Sequence, residues 1–213
     1  MRMTLLALML LAFTMAPAFA APAKTKPPAS AAPTSDKALV DKAATYLQGL
    51  KSAQASFSQT DPHGAVTSGT FSLQRPGKAR FAYDPPTGLT VVADGVDVDV
   101  YDAKLKTFNQ YPLKQTPLAL LLASDVHFDK TAVAASVSRE RGGFSITLRD
   151  AAKKTQGQLT LKFMETPFAL AGWTVVDPQG GKTVVTLSNL KSGVALAADL
   201  FELRDPHPRA FKP

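Results

Sequence analysis

The segment 69–102 constrains the fold of this chain more than any other part, because it reads as four consecutive β-strands. Apolar and polar residues alternate along it, and the first three strands end at the turn signals Arg75-Pro76, Pro85-Pro86 and Asp94-Gly95. Asp-Gly is typical of two-residue hairpin loops. Alternation places the apolar side chains of the strands on one face of a sheet. Another part of the chain must therefore cover that face.

The fourth strand shows the two faces most clearly. Val96, Val98 and Val100 are predicted on the apolar face, and Asp97 and Asp99 on the opposite face. Two carboxylates on one face resemble a catalytic acid–base pair. Because the valines occupy the inside, we interpret the aspartates as part of a solvated outer surface.

The same alternation recurs through most of the chain, with turns at regular spacing. Beyond the segment already described, strands are predicted at 53–57, 108–113, 133–139, 144–148, 159–163, 173–175 and 184–190, with a short last strand around 201–203. Ten or eleven short strands of this kind predict a mainly β fold, in which an antiparallel sheet curls on itself.

Two segments depart from this alternation. Apolar residues recur at helical spacing over 39–50, which predicts an amphipathic helix of about four turns. The segment 116–124 starts with Thr116 as a candidate cap and Pro117 at the first helical position. Its leucines are Leu118, Leu120, Leu121 and Leu122. A helix of about two turns is unstable alone, so we expect these leucines to cover an apolar opening of the sheet.

The N-terminal residues predict export. Arg2, a short apolar run and Ala18-Phe19-Ala20 form the pattern of a signal peptide over 1–20, cleaved after Ala20. The chain has 0 cysteines, which excludes disulfides, thiol nucleophiles and zinc–thiolate sites. We expect a periplasmic protein with a flexible Ala/Pro/Lys tail at 21–35 and a single domain at 36–213.

Charge and motifs argue against several classes of function. The chain has 24 Lys+Arg against 17 Asp+Glu, an excess that we attribute to solubility rather than to nucleic-acid binding. Attraction to anionic headgroups or to acidic partner surfaces is the alternative. The histidines are His63, His127 and His207, and no nucleophile elbow, zinc-protease, Walker or dinucleotide motif is present. We therefore predict no enzymatic activity, no metal and no cofactor.

The order of these features resembles the LolA family of periplasmic lipoprotein carriers. It comprises the amphipathic helix, an ASFSQ strand, a strand ending in Arg-Pro, an aromatic strand ending at proline, the Asp-Gly hairpin and the Thr-Pro-Leu helix. The likeness extends over about 38–206. It implies an incomplete antiparallel β-barrel, or half-barrel, with an N-terminal amphipathic helix, a short helical lid and a cavity for acyl chains.

The resemblance also implies a function and partners. A monomeric chaperone of this family would take triacylated lipoproteins from an inner-membrane ABC lipoprotein-releasing complex and pass them to the outer-membrane acceptor LolB or an equivalent. The alternative is a periplasmic carrier or sensor for another lipid or glycolipid, because an alkyl chain does not reveal its headgroup. The pattern shows no second domain of the kind that such sensors usually carry.

One arginine carries most of the functional interpretation. The arginine of the family's Arg-Pro pair, thought to hold the lid, corresponds to Arg75. By alternation Arg75 shares the apolar face with Leu73, where a guanidinium needs acceptors. It either donates to carbonyls near Ala123 as a lid latch or extends to water at the rim; the resemblance favours the latch.

The chain departs from the family pattern at Ala79, four positions after Arg75. The family commonly has a bulky apolar residue there, and that residue is implicated in contact with the transporter.

The large apolar residues of the inner face either fill a core or line a cavity. Each one alone is more typical of a core, but the leucine-rich short helix favours a cavity for the set. The predicted lining residues are Phe57, Phe71, Leu73, Phe81, Tyr83, Val98, Val100, Ile146, Leu148, Leu161, Phe163 and Trp173.

Overall fold

Eleven strands form one antiparallel sheet in a computed structural model, which describes residues 35–126, 128, 132–150 and 157–206. The strands are β1 Ser52–Thr60, β2 Val66–Gln74, β3 Lys78–Tyr83, β4 Leu89–Asp94, β5 Asp97–Asp102, β6 Thr107–Pro112, β7 Ala132–Glu140, β8 Gly143–Asp150, β9 Gln158–Glu165, β10 Phe168–Val176 and β11 Lys182–Ser192. The helices are α1 Asp36–Gly49 and α2 Leu118–Leu122, with 3₁₀ turns at Leu113–Gln115 and Ala198–Phe201.

These elements belong to the unit Thr34–Pro213. The predicted signal peptide at 1–20, nearly all of the predicted tail at 21–35, and His127 and His207 lie outside the described residues. The division of the chain into domains stays a prediction. No helix in the described ranges has the length and apolar character that a membrane-spanning helix requires.

The sheet is open. Its strand order is β6-β5-β4-β3-β2-β1-β11-β10-β9-β8-β7, so β1 pairs with β11 and joins the two halves of the chain. Within the described residues β6 and β7 are the edges and do not pair with each other. The prediction of a mainly β fold with an incomplete antiparallel barrel is confirmed.

Both helices cover one side of the sheet, which we call the inner face. Ser35 begins α1, since its Oγ accepts a hydrogen bond of 3.2 Å from the amide of Ala38. The helix buries Leu39, Ala43 and Leu47, spaced four residues apart, in the same apolar core as α2 and the strands. The strands contribute by alternation, as in β9, where fully buried Leu159 and Leu161 flank the half-buried Thr160.

The outer face is not fully solvated, which corrects two predictions. The expected strand around 201–203 is instead the 3₁₀ turn Ala198–Phe201, which packs against β3 and β4 and buries Phe201. On that face Val92 is fully buried, and its ladder neighbour Asp99 is only 4% exposed. The prediction that Asp99 faces water was wrong, because alternation gives a side chain's face but not what covers it.

The β4–β5 hairpin differs from the prediction by one residue. The Asp94 carboxylate accepts hydrogen bonds of 2.8 Å from the amides of Val96 and Asp97, so the two loop residues are Gly95 and Val96. Val96 is therefore 71% exposed rather than internal. Val98 remains on the inner face, because it pairs with the buried Ala93.

Candidate functional site

Helix α2 lies over the inner face as a short apolar cover. Leu120, Leu121 and Leu122 are buried, and Leu118 is half-buried. Thr116 does not cap the helix as expected; its hydroxyl donates to the Leu113 carbonyl at 2.8 Å. With only one and a half turns, α2 depends on the contacts of its leucines for its stability.

Arg75 connects the C-terminal ends of the two helices. Its side chain donates from Nη1 to the carbonyl of Leu47 in α1 and from Nη2 to the carbonyl of Ala123, directly after α2. Its own amide donates to the Lys51 carbonyl at 2.7 Å, which fixes the backbone at the end of β2. One side chain therefore contacts both helix ends, where the helix dipole favours a cation.

The environment of Arg75 makes these hydrogen bonds important. The residue is 9% exposed, and burial lowers the pKa of its guanidinium, which remains charged because arginine starts from so high a value. A buried cation requires acceptors. In the described part of the chain Nε has no partner, so the two carbonyls supply the hydrogen bonds that this group makes.

Two further hydrogen bonds hold the segment around the end of α2. The amide of Gly77 donates to the Leu122 carbonyl at 2.9 Å, and the amide of Val126 donates to Oε1 of Gln48 at 3.0 Å. Neither contact was predicted from the sequence. Gln48 lies on the polar face of an amphipathic helix, and nothing in that pattern distinguishes it from a solvated residue.

A cavity of about 230 Å³ lies between α2 and the inner face. Its wall contains Gln59, Phe81, Tyr83, Val91, Thr116, Pro117, Leu118, Trp173, Val175, Thr183 and Val185. The volume is below the range of about 300–1,000 Å³ that is usual for small-molecule pockets. The space is therefore too small to enclose a long alkyl chain.

The predicted lining residues divide into two groups in this structure. Three of them, Phe81, Tyr83 and Trp173, line the cavity. The others pack in or against the apolar core: Phe57, Phe71, Leu73, Val98, Val100, Ile146, Leu148, Leu161 and Phe163. Edge-on ring contacts connect the groups, as between Phe71 and Trp173 with centroids 5.3 Å apart. The contribution of each residue to acyl-chain binding stays a prediction.

A larger opening of about 500 Å³ lies beside β8 to β11, and it is chemically different. Its wall combines Glu140, Lys162, Lys182 and several hydroxyl residues with apolar ones that include Trp173 and Val185, and Lys162 pairs with Glu140 at 2.5 Å. Charged and hydroxyl groups do not suit an alkyl chain. Among the described residues no group of three His, Asp or Glu side chains is placed to hold a metal ion.

Comparisons with known proteins agree with this architecture. The family model "Outer membrane lipoprotein carrier protein LolA" matches residues 48–204. The chain belongs to the LolA family. An outer-membrane lipoprotein carrier protein of Methylococcus capsulatus is 30% identical over 171 residues, which cover 76% of this chain and 81% of the relative. A protein of the same name from Cupriavidus taiwanensis is 29% identical over 182 residues, which cover 79% and 85%.

Among solved structures, a LolA superfamily protein from Nitrosomonas europaea is 11% identical with a TM-score of 0.44, over 78% of this chain and 98% of that one. The family resemblance inferred from the ordered motifs is confirmed by the sequence matches. Ala79, which stands where the family commonly has a bulky apolar residue, is fully buried on β3. It lies opposite Leu73 and Ala93 in the ladder.

Proposed function

We propose that this protein is a periplasmic, non-catalytic chaperone that carries lipoproteins. It binds the acyl chains of triacylated lipoproteins released from the inner membrane by an ABC complex, and it delivers them to an outer-membrane acceptor, LolB or an equivalent. Family membership supports this proposal. The relatives from Methylococcus and Cupriavidus carry the name of lipoprotein carriers, and the proposal extends that role to this chain.

The observation that carries the mechanism is the position of Arg75 between the two helix ends. We infer that α2 is a lid and that Arg75 is its latch. When the latch breaks, the leucines of α2 leave the inner face, and the cavity beside Phe81 and Trp173 opens to a hydrophobic guest. When the lid closes, its leucines replace the guest on the same apolar surface, which promotes release.

Energies of the expected size allow such a cycle. One sixteen-carbon chain contributes roughly 12 kcal/mol when fully covered, and several fully covered chains would exceed the practical affinity limit of about −20 kcal/mol. A carrier that must release its cargo therefore covers the chains incompletely. One charge-assisted hydrogen bond of about 1.5–3 kcal/mol biases such an equilibrium without locking it.

Arg75→Leu tests the latch. We expect this variant to accept lipoprotein but to transfer it to LolB poorly, because an open lid no longer competes with the cargo. The measurement is the transfer rate from purified carrier to purified acceptor, with Arg80→Leu as the control on the outer face of β3. Transfer by Arg75→Leu at the wild-type rate would show that no latch operates.

The cargo is tested independently of the latch. The purified protein is incubated with periplasmic extract, recovered, and analysed by lipid and peptide mass spectrometry. Recovery of triacylated peptides supports the proposed function. Recovery of free glycolipids without peptides contradicts it and favours a carrier for another lipid.

A further inference from the structure

A hydrogen-bonded polar pair lies in the wall of the cavity beneath α2, which is mainly apolar apart from Thr116 and Thr183. Gln59 continues the inner-face alternation of Phe57 on β1, and Tyr83 reaches it from β3. The Tyr83 hydroxyl donates to Oε1 of Gln59 at 2.8 Å. Placing an amide in a mainly apolar wall costs free energy unless the amide is hydrogen-bonded. A side chain of this kind therefore suggests a specific role.

Gly69 makes the pairing possible, although β1 and β3 are separated by β2. Gly69 is the ladder partner of both Phe57 and Tyr83. The rings of Phe57 and Tyr83 meet edge to face across it, with centroids 5.0 Å apart. A Cβ on Gly69 would lie 2.1 Å from the Ala82 carbonyl oxygen and 2.8 Å from the Phe57 ring. The close approach therefore fixes the Tyr83 hydroxyl beside Gln59.

The hydrogen bonds of the pair leave the amide nitrogen of Gln59 available to a ligand. Burial raises the pKa of Tyr83 to about 12, so the phenol keeps its proton at neutral pH and donates it to Gln59. This bond orients the amide and engages its oxygen. No acceptor for Nε2 of Gln59 is found among the described residues, so the amide offers N–H donors at the cavity wall.

We propose that Gln59, oriented by Tyr83, is the binding site for the carbonyl oxygen of an acyl linkage. The inference rests on the proposed function, because it concerns a lipid whose alkyl chain occupies the cavity. An acyl chain carries one polar acceptor at its head, the ester or amide carbonyl, whereas an ether-linked chain lacks that carbonyl. Gln59 therefore sets the depth to which the chain enters and selects acyl over alkyl-ether lipids.

The test compares two glycerolipids with identical sixteen-carbon chains, one ester-linked and one ether-linked, by competition with a fluorescent alkyl probe. Wild-type protein is expected to prefer the ester about 5- to 10-fold, the effect of one neutral hydrogen bond. Gln59→Met keeps the side-chain length and removes the donors, so it should weaken ester binding and leave ether binding unchanged. Gln54→Met, on the exposed side of the same strand, is the control.

Tyr83→Phe provides a second variant that keeps the ring contact with Phe57 and removes only the hydroxyl. It should reduce the ester preference by freeing the Gln59 amide to rotate. Equal affinity of the wild type for the two lipids, or equal loss of both in Gln59→Met, overturns the inference while leaving the carrier function intact. Binding of neither lipid by the wild type overturns both.

Discussion

Arg75 acts through the shape of its side chain as well as its charge. Its two terminal nitrogens reach the carbonyl of Leu47 in α1 and the carbonyl of Ala123, directly after α2. A guanidinium presents donors in a fixed fork, whereas a lysine ammonium is a single compact centre on a flexible stem. Lysine at this position would keep the charge but not the bridge.

Arg75→Lys should therefore loosen α2 without removing the cation. We expect amide hydrogen exchange in Leu118–Leu122 to increase about 10-fold, corresponding to the loss of roughly one charge-assisted hydrogen bond. Exchange measured by mass spectrometry checks this. Arg80→Lys is the control, because Arg80 donates to the Leu200 carbonyl at 3.2 Å on the outer face. Unchanged exchange in α2 of Arg75→Lys would exclude the bridge as the holding contact.

The buried carboxyl group of Asp99 should make the free energy of unfolding depend on pH. Burial raises the pKa of Asp99, and the nearby carboxylates of Asp94 and Asp97 raise it further, while a hydrogen bond with Gln110 opposes the shift. A folded-state pKa above the unfolded value means that the ionised carboxylate destabilises the fold at higher pH. This penalty is complete above the folded pKa and disappears below the unfolded pKa of about 3.9.

Asp99→Asn should accordingly be more stable than the wild type at pH 7, and the advantage should shrink as the pH falls toward about 3.9. Urea unfolding at several pH values measures the difference in the free energy of unfolding. A difference between Asp99→Asn and the wild type that does not vary with pH would contradict the assignment.

At the scale of elements, the β2–β3 turn is built to meet α2. Gly77 has φ +77 and donates from its amide to the Leu122 carbonyl at 2.9 Å. A Cβ on Gly77 would lie 2.7 Å from the Cα of Gly95, so the turn also packs tightly against the β4–β5 hairpin. Both the backbone angle and the space require glycine there.

Gly77→Ala should be more destabilising than Gly64→Ala. The comparison separates the cost of the left-handed backbone angle from the cost of the clash with neighbouring backbone. Gly64 has φ +87 with nothing within 4 Å of an added Cβ, so its substitution measures only the left-handed backbone, about 1–2 kcal/mol. Gly77→Ala adds the clash with backbone and should also increase hydrogen exchange in α2. Equal losses in the free energy of unfolding would show that the turn is not packed as described.

The elements also show what local pattern can predict. The alternation in β9 and the four-residue spacing in α1 are local, and both elements were predicted from them. A strand was predicted around 201–203, where the structure instead has the end of the 3₁₀ turn Ala198–Phe201. This turn packs against β3 and β4, about 100 positions earlier in the chain, and no local pattern indicates such a contact. The carbonyl of Leu47 as an acceptor for Arg75 was likewise not predictable, since it depends on where α1 ends relative to β2.

At the scale of the whole molecule, one apolar inner face contains both the core and the cavity beneath α2. The same core contains the buried residues of α1, α2 and the strands, and the cavity beneath α2 is continuous with it through Phe81 and Trp173. Alternation indicated most of the residues that face inward, with Val96 as an exception. It did not indicate which of them pack and which border open space, because that depends on the position of a helix with only five residues.

The proposed carrier function depends on the entry of an acyl chain into the space beneath α2. The chain contains 1 tryptophan, Trp173, which lines that space and also the larger opening beside β8 to β11. An acyl chain bound beneath α2 therefore lies close enough to quench its fluorescence. The decisive measurement is a titration with a fatty acyl chain brominated at mid-chain, with binding followed in parallel by equilibrium dialysis. We expect saturable quenching of Trp173 fluorescence that follows the binding curve obtained by equilibrium dialysis. A chain that binds while Trp173 fluorescence stays unchanged would contradict it.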